Sequence, residues 1–126
     1  MFSNFKKNSD QNSNIETLIG ESTHVTGNII SSGSIKIAGE FTGDIETKGD
    51  IIISQTGSIK GNIICDNITV GGMQRGNVKS NGLLHITAAG KVMGDIETIN
   101  LIVEDGGIIN GKCIMTLDEI KRIIVP

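Results

Sequence analysis

The chain has 126 residues, with 17 glycines, one proline, three phenylalanines and neither tryptophan nor tyrosine, and a formal net charge of −3. So few aromatic side chains leave an ordinary globular core of this length hard to fill. The acidic balance, with no basic stripe, excludes a surface built to track phosphates, so no nucleic-acid partner is expected. No stretch reads as a signal peptide or as the ~20 apolar residues of a membrane span.

Taken in chain order, residues 1–17 open on MFSNFKKNSDQNSN, a polar Ser/Asn-rich run that predicts a disordered tail. Its start combines Met1, Phe2 and Phe5 with Lys6 and Lys7, which makes it a candidate peripheral membrane anchor. A buried Phe ring contributes about 2 kcal/mol at best and a lysine near an anionic surface about 1 kcal/mol. One tail would hold a chain weakly, whereas many tails on a polymer would gain avidity without new contacts.

From residue 18 to 115 the sequence repeats. Gly27-Asn28-Ile29, Gly43-Asp44-Ile45, Gly61-Asn62-Ile63, Gly76-Asn77-Val78 and Gly94-Asp95-Ile96 share one pattern, and Gly111-Lys112-Cys113 is a degenerate sixth copy. Their spacing runs from 15 to 18 residues. Ile35, Ile51, Ile68, Leu84 and Leu101 recur in step, and Ile37, Ile53, Val70, Ile86 and Val103 follow two residues later. Val25, Phe41, Ile59, Val92 and Ile109 stand two residues before the glycine in five of the six units. Short period-two apolar runs punctuated by Gly, Asn, Asp and Ser are strands joined by turns. Strands this short cannot build a two-sided hairpin core, but stacking one coil of about three strands on the next places every marked residue in a single apolar column. The reading is all-β: one domain, a parallel β-helix of about six triangular coils.

The residue after each repeating glycine reads Asn28, Asp44, Asn62, Asn77, Asp95 and Lys112, so no two aspartates fall in adjacent units. Coils lie ~4.8 Å apart, where stacked like charges repel and Asn beside Asp can hydrogen-bond. Two isolated carboxylates are too few for the six to eight oxygens calcium prefers, so no metal is expected. Cys65 and Cys113 read as small buried hydrophobes of a reducing compartment.

Residues 116–126 begin Thr116-Leu117-Asp118-Glu119, a capping-box pattern followed by Ile120, Ile123 and Ile124, compatible with a short terminal helix or a tail. A solenoid exposes an apolar cross-section and unpaired strand edges at each end unless polar caps cover them. The candidate polymer interface is therefore Leu18, Ile19 and Val25 at one end and Ile108, Ile109, Ile114, Met115 and Leu117 at the other. The alternative is a capped monomeric β-solenoid binding module, its last segment folded over the end.

An enzyme fits less well. A left-handed β-helix acyltransferase, typically trimeric, is built on hexapeptides, whereas apolar spacings here mix two, four and six residues. A polysaccharide-lyase β-helix needs more coils and clustered charges. The two histidines, His24 and His85, each neighbour an inward position and so point to solvent. An ice-binding solenoid requires threonines in register, and the threonines here read as out of register. No catalytic residue and no cofactor is expected.

The segments Ile19-Gly20-Glu21 with Val25-Thr26-Gly27-Asn28-Ile29, then Ile35 to Ile45, then Ile51 to Ile63, together resemble the bactofilin family over roughly residues 18–115. The resemblance implies a right-handed β-helix that self-assembles end to end into nucleotide-independent filaments. It also implies a cytoplasmic scaffold at the inner face of the bacterial membrane, where it positions cell-wall or morphogenetic proteins. Family members often carry an aromatic near the C-terminal end for the end-to-end contact; this chain has Ile114, Met115 and Leu117 there.

Overall fold

The computed structural model describes residues 15–115. The expected tail contacts at Met1, Phe2, Phe5, Lys6 and Lys7, and the C-terminal residues from Leu117 on, lie outside the described residues. Ile15, Glu16 and Thr17, expected to belong to the tail, instead open the first strand, Ile15–Ile19.

Eighteen short strands form three six-stranded sheets in which every pairing is parallel, and each coil contributes one strand to each sheet. The first sheet runs from Ile15–Ile19 through Ser34–Ile37, Asp50–Ile53, Asn67–Val70 and Leu83–Ile86 to Asn100–Val103. The second runs from His24–Thr26 to Ile108–Asn110, and the third from Ile29–Ser31 to Cys113–Met115. No strand has a sequence neighbour as its partner, because each pairs with its equivalents one coil away. No helix occurs among the described residues.

Stacking turns the sequence repeat into columns. Ile35, Ile51, Ile68, Leu84 and Leu101 are in direct register, as are Ile37, Ile53, Val70, Ile86 and Val103. In the middle coils these side chains are almost fully removed from water. At ~25 cal/mol per Å² of apolar area, burying each one stabilises the fold by roughly 1.5–3 kcal/mol.

The wandering repeat length has a local cause. The link from first to second sheet is either two residues, Ala38-Gly39 and Gly71-Gly72, or a four-residue turn closed by a backbone hydrogen bond. Those closures are Thr23 N to Gly20 O at 3.0 Å, Gly57 N to Ser54 O at 2.8 Å, Gly90 N to Thr87 O at 2.9 Å and Gly107 N to Glu104 O at 2.9 Å. The link from third to first sheet is one residue at Asp66 and Ile99 and two at Ser32-Gly33, Lys48-Gly49 and Asn81-Gly82. Both links lie at corners, so their length changes without disturbing any column.

The row after the repeating glycine is a hydrogen-bond ladder of side chain to main chain. Asn28 Oδ1 accepts from Asp44 N at 3.1 Å, Asp44 Oδ1 from Asn62 N at 3.0 Å and Asn62 Oδ1 from Asn77 N at 3.0 Å. Asn77 Oδ1 then accepts from Asp95 N at 3.0 Å and Asp95 Oδ1 from Lys112 N at 3.2 Å. Asn and Asp serve equally because each supplies one carbonyl-type oxygen at the same reach. Lys112 has no such acceptor, so the ladder stops in coil six.

Three expectations need correction. Threonines do fall partly in register: Thr26 pairs Thr42, and Thr47 and Thr98 share one inward row with Ser31, Cys65 and Ser80. That row is buried rather than offered to solvent, because its hydroxyls donate to the preceding coil: Thr47 Oγ1 to Gly33 O, 2.6 Å, and Ser80 Oγ to Asp66 O, 2.7 Å. Cys113 is exposed, unlike buried Cys65, because among the described residues no coil stacks beyond it. His85 does point outward, but its Nε2 lies 2.7 Å from Glu104 Oε2 of the next coil.

Candidate functional site

The columns that are sealed in the middle open at both ends. Ile53 and Val70 are 1% and 0% exposed, whereas Val103, the last member of the same column, is 41% exposed. Leu101 and Ile109 of coil six are only partly buried, as are Val25 and Ile29 of coil one. Among the described residues, each end therefore presents core residues without a further coil beside them, next to strands whose outer backbone groups have no strand partner.

The structure divides the expected interface residues by position. Ile19, Val25 and Ile109 belong to inward columns, with Ile37, Phe41 and Val92 as their respective register partners. Met115 is the last residue of the inward row that passes through Thr98. These four stand in the end coils, where Ile19 is still buried at 6% exposure and Val25, Ile109 and Met115 are partly exposed. Leu18, Ile108 and Ile114 lie on outer faces instead, in register with Lys36, Lys91 and Glu97, and are 65%, 45% and 49% exposed. Alternation decides this, since successive residues of a strand point to opposite faces.

One residue that sequence reasoning missed is Gln74. It occupies the inward slot between Ile59 and Val92 and is fully buried. Its Nε2 donates to Gly61 O at 2.9 Å, while its Oε1 has no partner. The signal was present as the single gap in the apolar row. Burial and the carboxylates of Asp66 and Asp50 push the Cys65 thiol up to about 12, so it packs as a neutral group. The Cys113 thiol is also raised, by its smaller burial.

No group of His, Cys, Asp or Glu among the described residues is arranged to hold a metal ion. Among the described residues there is no helix long and apolar enough to cross a membrane. What the described residues do offer is apolar surface for association at the end coils.

These features define a parallel β-solenoid with uncapped ends among its described residues. The chain belongs to the bactofilin family, whose model, described as polymer-forming cytoskeletal, matches residues 17–114. That match spans nearly the whole described solenoid and makes the protein one of a structural, polymer-forming family. A comparison with curated proteins found no match, and a comparison with solved structures found none either.

Proposed function

We propose that this chain polymerises end to end through the two open faces of its solenoid. The filament would be a nucleotide-independent scaffold on the cytoplasmic face of the bacterial membrane, positioning cell-shape or cell-wall proteins. The observation that carries the reading is the opening of the core toward its ends: at the C-terminal end one column runs from 1% exposure at Ile53 to 41% at Val103, and in coil one Val25 and Ile29 are only partly buried. Stacking a second chain on such an end re-covers apolar side chains and engages unpaired backbone groups, both of which favour association.

Val25→Arg and Met115→Arg place a charge at the N-terminal and C-terminal ends respectively. Buried against a second chain that charge is penalised by several kcal/mol, whereas in the unassembled chain it reaches water. Wild-type protein is expected to pellet at high speed and to show filaments by negative stain. Each variant should stay folded by circular dichroism and lose the long polymer. Normal filaments from both would remove these ends from the contact.

The membrane part of the reading rests on Met1, Phe2, Phe5, Lys6 and Lys7. Deleting residues 1–7 should abolish co-sedimentation with anionic liposomes and leave filaments intact. Undiminished binding would move the anchor elsewhere.

A further inference from the structure

The outer row of the third sheet reads, from coil one to coil six, Ile30, Glu46, Ile64, Lys79, Glu97 and Ile114. Ile64 and Ile114 are 43% and 49% exposed, unusual for isoleucine in a soluble face. Over coils three to six this row lines a shallow groove of about 390 Å³, whose floor also includes the adjoining Asn77 and Asp95.

The four residues Ile64-Lys79-Glu97-Ile114 are self-complementary when read backwards. A two-fold axis along the strand direction, between coils four and five, sets Ile64 of one copy on Ile114 of another. It also sets Lys79 on Glu97, and the same contacts recur reciprocally, as an isologous interface requires. The adjoining ladder row obeys the same axis, with Asn77 facing Asp95 and Asn62 facing Lys112, so no like charges meet. Several other registers fail: parallel copies oppose Lys79 to Lys79, an axis through coil four does the same, and an axis between coils three and four opposes Glu46 to Glu97. An axis through coil three sets Glu46 on Lys79 and Ile64 on itself but leaves Ile30 on Glu97, so only the axis between coils four and five pairs Lys79 with Glu97. Among the described residues the one ion pair is His85 with Glu104, so neither Lys79 nor Glu97 is engaged by a charge of those residues.

We propose that this face is a lateral contact through which two copies of the chain lie side by side with their solenoid axes antiparallel. The overlap is four coils of ~4.8 Å by strands of three residues, well below the ~800 Å² a side of a stable pair. Two isolated chains are therefore not held together, whereas filaments presenting the face repeatedly gain from multivalency. The contact thus rests on the filament reading above, and joins filaments into pairs or bundles.

The test uses the purified full chain at low salt and at ~1 M salt, where exposed charge pairs are screened. Negative stain distinguishes single from paired filaments, and low-speed pelleting reports bundles. Wild type is expected to give paired filaments that separate in high salt. Lys79→Glu and Glu97→Lys, each placing like charges opposite one another, should give single filaments with a several-fold loss of low-speed pellet. The double variant K79E/E97K should restore pairing, because every contact is re-made with its signs exchanged. Single wild-type filaments at low salt would overturn the lateral contact while leaving polymerisation intact. So would a double variant that stays single, or single variants that pair as wild type does. Absence of any wild-type filament would overturn the polymer reading, and the lateral contact with it.

Discussion

The repeating glycines permit a comparison in which one variable changes. Gly27 and Gly61 both have positive φ, 137° and 148°, a backbone region that side chains rarely adopt. An added Cβ at Gly61 would collide with the carbonyl oxygen of Gly43 in the coil beneath, whereas at Gly27 it meets nothing within 4 Å. The difference is positional: Gly27 lies in coil one, beneath which no coil stands among the described residues. Alanine at either site incurs backbone strain of about 1–3 kcal/mol. At Gly61 the coils must also part by on the order of an ångström, the distance needed to bring carbon and oxygen back to contact.

That separation stretches three hydrogen bonds at the same corner. They are Gly43 N to Lys60 O at 2.8 Å, Ile45 N to Asn62 O at 2.9 Å and Asn62 N to Asp44 Oδ1 at 3.0 Å. At roughly 0.5–1.5 kcal/mol net each, losing them adds about 2–4 kcal/mol. Gly61→Ala is therefore expected to be less stable than Gly27→Ala by about 2–4 kcal/mol, a large share of the 5–15 kcal/mol typical of a domain. Urea unfolding followed by far-UV circular dichroism reads the gap, at several protein concentrations so that assembly is separated from folding. Equal stabilities, or a Gly61→Ala variant as stable as wild type, would refute the close stacking of these corners. Gly27→Ala should in addition pellet less, since its methyl group projects from the N-terminal end.

Gln74→Leu should raise stability by about 1–2 kcal/mol, because it removes an unpartnered buried oxygen at the loss of one neutral hydrogen bond; a lower denaturation midpoint would mean that the bond to Gly61 outweighs the stranded oxygen. Cys65 supplies a pH dependence. Its folded thiol lies at about 12 against an ordinary 9.0, so above pH 9 the unfolded chain loses its proton first. Stability should then fall as pH rises from about 9 toward 12, by at most about 1.4 kcal/mol per pH unit. Cys65→Ser should flatten that slope, and unchanged alkaline melting between the two would place the effect on other groups. A thiol reagent should modify exposed Cys113 in the native protein and leave Cys65 untouched until the chain unfolds.

Much of the fold was legible because parallel stacking makes each structural demand recur. Ile35, Ile51 and Ile68 answer to one environment, so the period is visible without knowing the fold. What stayed hidden is what does not recur. Gln74 is one residue in an apolar row, and only its burial shows that it fills the slot rather than interrupting it. The corner lengths are set by local turns, and sequence spacing alone does not say which corner holds the extra residues. Pairs such as Ile29-Ile30 and Ile63-Ile64 carry two isoleucines where one faces inward, and only the register assigns Ile30 and Ile64 to the outside. His85 and Glu104 are 19 positions apart, close to one coil plus a turn, a separation that gains meaning once that coil's length is known.

The candidate site has a deeper reason for being hard to read. In most proteins an interface differs chemically from a core, through aromatic anchors and a polar rim. In a solenoid the end of the core is the candidate interface, and its residues follow the same repeat as those sealed inside. Ile109 differs from Val92 only in having no coil beyond it. Sequence thus identifies the column and counts its members, while exposure depends on which member is last. The same logic explains why the terminal coil tolerates Lys112 and Cys113 where inner coils carry Asn or Asp and Ile or Val. An inner ladder position must supply an oxygen to the next backbone N–H, but among the described residues no coil follows coil six. A position released from that demand is free to serve either solubility or a partner. Val25→Arg and Met115→Arg separate those uses, because they add charge at the ends and leave the inner columns as they are.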